Sequence, residues 1–340
     1  MIIGGGLAGL TLGIGLRLRG VPVTIWEAGH YPRHRVCGEF ISGQGQEALK
    51  RLELLELFEQ AEAKQARTAA FFLNQARAAM QTVSPPALSL SRYIMDDLLA
   101  KHFRQAGGTL HERTRWTKSM CDEGVVCASG RRVRPVEDGW RWFGMKVHAS
   151  NVDLLADLEM HSVKNGYVGI CRLEPNRVNI CGLFRRPASD HNPTASWQTQ
   201  LRGQPDTTLY QRLHQATFIS DSFCAVAGLP LRPQHASDFS ECRIGDALTM
   251  IPPITGNGMS MAFEAAELAI EPLLQYSQGE ICWEEAKRSV AHACDRTFAQ
   301  RLTWARWLQW AMFTPAFQGR LGRLLFNCEW LWRFVLNRTR

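Results

Sequence analysis

Three glycines near the N-terminus are spaced to hold a diphosphate. Gly4, Gly6 and Gly9 form a G-x-G-x-x-G turn that encloses Leu7 and Ala8. Met1–Ile3 reads as the end of a buried strand, Leu10–Arg19 as a helix closed by Gly20, and Val21–Trp26 as a second strand. That order is what the motif requires. Gly4 permits the tight turn, Gly6 lets the backbone approach a pyrophosphate, and Gly9 lets helix and strand pack closely. The helix start offers free N–H groups and a partial positive charge to phosphate oxygens. Glu27 lies 18 residues beyond Gly9, followed by Ala28. A carboxylate there can accept from both hydroxyls of an unphosphorylated adenosine ribose, as in FAD or NAD.

Two further segments carry chemistry. Residues 245–264 run Gly245-Asp246, then Pro252-Pro253, then Gly256-Asn257-Gly258-Met259 into an apolar helix reaching about Leu274. Residues 31–39 read Tyr31-Pro32-Arg33-His34-Arg35-Val36-Cys37-Gly38-Glu39. The first closely resembles the Gly-Asp flavin motif of the aromatic hydroxylase and geranylgeranyl reductase superfamily of flavoproteins. The second resembles the Pro-Arg-x-Lys-x-Cys-Gly segment of that superfamily's reductase and halogenase branch. The resemblance spans most of residues 1–265 and implies FAD as the cofactor. It implies that Asp246 holds a ribityl hydroxyl, that Pro253 shapes a rigid loop, and that the helix opened by Gly256, Asn257 and Gly258 points at the pyrimidine end of the ring. The positive end of that helix would stabilise reduced flavin. Arg35, Cys37 and Gly38 are expected along the flavin edge. Arg92, at the start of a helix through about Gln105, is expected to reach toward the cofactor.

The sequence also departs from the superfamily. Aromatic hydroxylases carry an Asp-Gly motif that touches flavin and NAD(P)H. Here the matching place is Ser129-Gly130, which weakens the case for NAD(P)H as direct electron donor. The link from Thr114 to Gly124 is short. The halogenase Trp-x-Trp-x-Ile-Pro signature is absent, and no catalytic lysine can be placed.

These residues need a scaffold. A chain of 340 residues exceeds one small core and suits a nucleotide-binding domain with a second domain. The expected class is α/β: a Rossmann-like FAD-binding domain with a parallel sheet, interleaved with an antiparallel substrate sheet and followed by C-terminal helices. Residues 1–65, 90–135 and 236–283 are assigned to the first, 66–89 and 136–235 to the second, and 284–340 to the helices. Within the second, Gly144–His148, Leu154–Val163, Gly166–Leu173 and Arg177–Phe184 alternate like strands, with a turn at Pro175-Asn176. Asn192–Pro205 reads as a loop, Gln204–Ala216 as a helix, and Phe218–Arg232 as a returning strand and loop. Lys146, His148, Tyr167 and Arg172 are polar members of the sheet whose inward or outward facing alternation cannot decide. His148 is the candidate general base should the substrate be a phenol.

Charge is localised. The chain carries +7, and Arg296–Arg340 holds eight arginines against Glu329 alone, also +7. Two apolar stretches there, 284–313 and 321–336, carry Trp304, Trp307, Phe326, Trp330, Trp332 and Phe334. Helices capping the substrate domain would explain them, and so would peripheral contact with an anionic membrane. Nucleic acid fits poorly, because the aromatics read as packed. The ten cysteines include no C-x-x-C pair and no metal-ligand spacing, so no metal is expected and a reducing, cytoplasmic setting is. No apolar run reaches ~18 residues, the length an ordinary membrane span needs.

The expected activity is that of an FAD-dependent oxidoreductase acting on a hydrophobic small molecule. Superfamily chemistry implies hydroxylation through a flavin C4a-(hydro)peroxide, or reduction or desaturation of a carbon–carbon bond in a lipid-like molecule. A non-catalytic flavoprotein serving as a binding partner is the alternative from another class.

Overall fold

Ile2–Ile3 is short, yet it lies at the centre of a five-stranded sheet. The sheet order is Cys242–Arg243, Val126–Cys127, Ile2–Ile3, Thr24–Trp26, Thr109–His111, and every neighbouring pair is parallel. This computed structural model describes all residues except 74–75, 191–195, 315–316, 318–321, 323–326 and 340. The helix Leu7–Arg17 packs on this sheet and buries every residue from Leu7 to Leu16. It is apolar all round because the helix Gly258–Ser277 covers its other side. The helix Arg92–Gln105 packs beside it, capped by the Ser91 hydroxyl, which accepts from the Tyr93 N–H.

The second sheet is broader and mostly antiparallel. Its order is Thr217–Ala227, Trp140–Ser150, Arg177–Pro187, Gly166–Glu174, Leu158–Val163, Lys64–Leu73, Gln81–Ser89, Phe40–Ile41. Leu158–Val163 and Lys64–Leu73 run parallel. Phe40–Ile41 therefore ties the Cys37-Gly38-Glu39 loop directly to this sheet, by pairing with Leu88 and Ser89.

Several boundaries differ from the sequence reading. The first sheet strand begins at Trp140, before Gly144, and ends at Ser150. The second begins at Leu158, because Asp157 uses its carboxylate to accept the N–H groups of Arg67 and Thr68 and holds 154–157 out of the ladder. The stretch 192–205, expected as a loop, contains the short helix Trp197–Arg202 ended by Gly203 with φ +83°, and the helix expected over Gln204–Ala216 is confined to Thr208–Leu213. The apolar tail is one long helix, Trp283–Met312, and a terminal helix, Glu329–Thr339. Phe326 lies outside the described residues.

The strand Trp140–Ser150 faces two different interiors. Met145, Val147 and Ala149 join a core with Leu201, Leu209 and Leu213 on the outer side of the sheet. Trp142 joins another core with Tyr167, Leu183, Phe313, Trp332 and Val335. Lys146 and His148 share the Trp142 side. They are buried and turned toward the loop at Glu39.

Candidate active site

The glycine turn has the shape a diphosphate needs. Gly4 has φ +105°, and a Cβ there would lie 2.3 Å from the Ala128 carbonyl oxygen. A Cβ on Gly9 would lie 2.0 Å from the Gly4 oxygen. Both positions are closed to a side chain by the protein itself. Gly6 is different: a Cβ there meets nothing within 4 Å. Its bareness serves no packing within the chain and leaves room for a ligand. The side chains of Leu7 and Ala8 are buried, so they can serve a phosphate only through the N–H groups at the helix start.

Glu27 holds this turn in place. Its carboxylate accepts the Gly5 N–H at 2.8 Å and the Gly29 N–H at 2.7 Å, and Arg33 lies 2.7 Å away. Burial pushes its pKa up, but the Gly29 N–H and the charges of Arg33 and Arg35 outweigh that and hold it low. The anion has lone pairs left for ribose hydroxyls, which it would share with these protein donors. Tyr31 closes the turn from above by donating its hydroxyl to the Gly5 carbonyl. Ala28 is exposed. Neither Tyr31 nor Arg33 is singled out by spacing, though both lie in the Pro-Arg segment.

A charged cluster forms the next wall. Arg92 makes a bidentate pair with Asp96 at 2.7 and 2.8 Å, and Arg35 approaches Asp96 at 3.3 Å and Glu27 at 3.8 Å. Arg92 is thus fixed by its own helix, at the i,i+4 spacing. Asp246 faces the crevice. The enclosing walls push its carboxyl up, against the opposing pull of Arg92, Arg131 and Arg35. The Nε of Arg131 is buried without a hydrogen-bond partner. Ser129 is exposed, and Gly130, with φ +78°, has nothing within 4 Å of where a Cβ would stand. Asp246, Arg131, Gly130 and Gly6 therefore border open space. Gly245 seats the Gly-Asp turn on the first helix, with φ +60° and Ala8 Cβ 2.9 Å from where its own would be.

The third segment closes the crevice. Pro253 starts a short 3-10 turn, Pro253–Thr255, and Gly256 follows with φ +66°. A Cβ on Gly256 would lie 2.3 Å from the Phe40 ring, so this loop and the Cys37-Gly38 loop meet there. Gly258 and Met259 begin the helix, capped at Asn257. The Asn257 side chain is buried: its Oδ1 accepts from the Ser42 hydroxyl, and its Nδ2 donates to the Thr339 carbonyl at the chain's last turn. Cys37 has no cysteine partner, its thiol is pushed up by burial, and its carbonyl accepts from Asn179 Nδ2 at 2.8 Å.

Behind the Cys37-Gly38 loop lies a buried ionic group that spacing could not reveal. Glu39 takes Lys146 Nζ at 3.0 Å, His148 Nε2 at 2.6 Å and the Arg92 backbone N–H at 2.9 Å. Lys146 Nζ also lies 3.1 Å from His34 Nδ1. Burial pushes the Glu39 carboxyl up, but the His148 hydrogen bond and the Lys146 charge bring it below its ordinary value. His34 is held near 4, by burial first and then by Lys146 and His148. It is therefore neutral at pH 7. His34, Glu39 and His148 offer donor atoms within 4.8 Å of one another, a set that could hold a metal ion, and the Lys146 ammonium stands among them as the cation. His148 and His34 also border a pocket of about 270 Å³ with Tyr93, Arg177 and Ser222. Of the other polar sheet residues, Tyr167 is buried in the core under the terminal helix, and Arg172 turns aside to the Leu154 carbonyl.

Comparisons with known proteins agree with this architecture. Residues 1–138 match the family model described as FAD binding domain. No curated protein matches the chain by sequence. Among solved structures, the flavin-dependent brominase Bmp2 is similar with a TM-score of 0.76 at 17% identity, over 99% of this chain and 92% of that one. The myxobacterial chondrochloren halogenase CndH gives 0.75 at 17% identity, over 100% and 90%. PqsL of P. aeruginosa, in complex with 2-aminobenzoylacetate, gives 0.70 at 14% identity, over 95% and 98%. Residues 1–138 thus resemble an FAD binding domain, and the whole chain shares the fold of these solved flavin-dependent enzymes.

Proposed function

We propose that the protein is an FAD-dependent monooxygenase that hydroxylates a hydrophobic, aromatic or polyketide-type small molecule. One observation carries the reading. Gly6 is bare on its outer side, the Gly245-Asp246 turn seats on Ala8 of the same helix start, and Gly256, just before the Asn257–Gly258 helix start, meets Phe40, which packs with Ile254 on the apolar core of the second sheet. When bound there, FAD supplies the redox chemistry and the activation of oxygen.

The chain's own residues do the rest. The N–H groups at residues 6–8 and the helix start would hold the pyrophosphate, with Glu27 on the adenosine ribose. Asp246 would take a ribityl hydroxyl. Arg35 and Arg131 would lie beside it and offset its charge, while Arg92 is kept in place by Asp96. The helix dipole at Asn257–Gly258 favours negative charge at its N-terminus. Trp142, Tyr167, Leu183, Phe40 and Ile254 form an apolar wall that excludes water, and Phe313, Trp332 and Val335 pack onto it. The terminal helix thus covers this apolar wall. With its Nε2–H donated to the Glu39 carboxylate, the neutral His148 ring keeps Nδ1 as its acceptor, and His148 borders the small pocket.

Halogenation is disfavoured despite the names of the structural neighbours. The Trp-x-Trp-x-Ile-Pro signature is absent, and the sheet lysine, Lys146, is fully buried in its pair with Glu39. A second reading, reduction or desaturation of a carbon–carbon bond, is supported by the Cys37-Gly38 segment and by Ser129 where hydroxylases have aspartate. Anaerobic reduction of the holoprotein with NADPH or NADH, followed by oxygen, separates the two. Bleaching by a nicotinamide and a transient oxygenated-flavin absorbance support the monooxygenase. Reduction by dithionite or a partner protein only, with no transient, supports the reductase or desaturase.

A further inference from the structure

The C-terminal helices present a surface that the flavin site does not use. On the helix Trp283–Met312, Thr303, Arg306, Trp307 and Trp310 are exposed, at i, i+3, i+4 and i+7 of one face. On the helix Glu329–Thr339, Trp332, Val335 and Thr339 are buried while Trp330, Arg333, Phe334 and Arg338 face outward. The exposure is large for residues of this kind: 64% for Trp310, 69% for Trp330, 43% for Trp307 and 37% for Phe334. The two faces are continuous. Trp307 meets Trp304 at 5.9 Å, Trp304 meets Phe334 at 5.5 Å, and Phe334 stacks on Trp330 at 5.9 Å. One aromatic strip therefore crosses both helices.

Its surroundings are basic and apolar together. Of the described arginines in Arg296–Arg340, Arg306 and Arg338 are exposed beside the strip, while Arg301 is buried against Glu264 at 2.6 Å. The single acid of that stretch, Glu329, is paired with Arg333 at 2.7 Å. Arg338 lies over the Phe334 ring at 5.3 Å, which leaves its charge at the edge of the strip. Beside Trp307 and Trp310 opens a cavity of about 530 Å³ lined by Leu248, Phe298 and Leu302 together with His235, Asp295 and Arg306. Tryptophans with flanking arginines suit the headgroup layer of a bilayer, where indole rings sit at the polar boundary and cations meet anionic lipid.

We infer that this strip rests on an anionic membrane surface, with Trp307, Trp310 and Trp330 at the headgroup level. No described helix is long and apolar enough to cross a membrane, so the contact is peripheral. The inference stands apart from the flavin reading, because none of the three tryptophans borders the crevice.

The test uses the full-length protein and sedimentation with vesicles of phosphatidylcholine, with or without ~30% phosphatidylglycerol as a chosen probe composition. The expected result is binding to the anionic vesicles at least ~10-fold stronger, a blue shift of tryptophan emission, and loss in ~0.5 M NaCl, since each arginine near the surface contributes roughly fivefold. Trp310→Ser with Trp330→Ser should weaken that binding ~10-fold or more while leaving the flavin spectrum and Tm unchanged, because both side chains are mainly in solvent. Equal binding to both vesicle types overturns the inference. So does no binding at all, or wild-type binding by the double variant. A dimer in sedimentation equilibrium that the same double variant dissolves would assign the strip to a second copy of the chain and overturn it too.

Discussion

Glu39 Oε2 lies 2.6 Å from His148 Nε2, although 109 residues separate the two in the chain. Glu39 belongs to the loop that follows Cys37-Gly38, and His148 to the strand Trp140–Ser150, second from the edge of the second sheet. With Lys146 on its other oxygen, Glu39 locks the expected flavin-edge loop to the sheet. The lock has energetic consequences.

Removing one member should cost much more than removing two. Glu39→Ala leaves the Lys146 ammonium buried with only a neutral His34 beside it, and should destabilise the protein by about 3–5 kcal/mol. Glu39→Ala with Lys146→Met removes the orphaned charge and should regain a large part of that loss. Urea unfolding of the two single variants and the double variant measures the coupling. Additive losses would mean the pair does not interact.

The same cluster makes stability depend on pH. His34 is held near 4 in the folded chain, by burial and then by Lys146 and His148, against the partial opposition of Glu39. Its unfolded value is about 6.5. The unfolded chain therefore binds the extra proton between these values, and stability is complete above ~6.5 and lost as pH falls toward 4. Glu39, also held below its ordinary value, adds to the loss further into acid. Tm measured from about pH 8 to 4.5 should fall with acid, and His34→Gln should flatten the slope between about pH 6.5 and 5. A wild-type slope in the variant would show that His34 does not carry the effect.

The terminal helix should be the first part of this apolar wall to open. It is joined to the Gly256–Gly258 loop by Asn257 Nδ2 on the Thr339 carbonyl, and to the sheet by Trp332 against Phe71 at 5.0 Å. Val335→Asp buries a charge in that contact and should undock the helix while the rest stays folded. Trypsin should then cut at Arg333 and Arg338 at least ~10-fold faster, since ~1.4 kcal/mol of local stability is a factor of ten when cleavage follows the open population. Unchanged cleavage would show that the helix is not held by this face.

Much of the fold is legible in the sequence because it is written locally. The strand, glycine turn and helix from Ile2 to Arg17, with Glu27 at the next strand's end, are adjacent residues whose types follow from one turn. The Asn257–Gly258 helix start and the long helix from Trp283 are legible for the same reason, through the Gly-Asn-Gly turn and a 3.6-residue period. What is not legible is long-range. The facing of Lys146 and His148 depends on the register of Trp140–Ser150 against Arg177–Pro187, and alternation gives the period without the phase. Glu39 reads as the end of a motif, and nothing local marks it as the partner of a strand over a hundred residues away. Arg92 is expected to reach for the cofactor, and its i,i+4 partner Asp96 stands in plain view in the sequence. Spacing alone does not say which of the two the guanidinium meets.

Whether the crevice holds FAD is decided at Gly6. A Cβ there meets no protein atom within 4 Å and the φ of −82° suits any residue, so Gly6→Val should keep the fold and lower Tm only by the modest loss of an N-cap glycine. FAD should be titrated into the apoprotein of both forms and followed by quenching of flavin fluorescence. The natural chain should bind saturably and one-to-one, and the variant should lose at least ~10-fold in affinity, ~1.4 kcal/mol. No binding by a folded natural chain, or equal binding by both forms, would contradict an FAD site in this crevice.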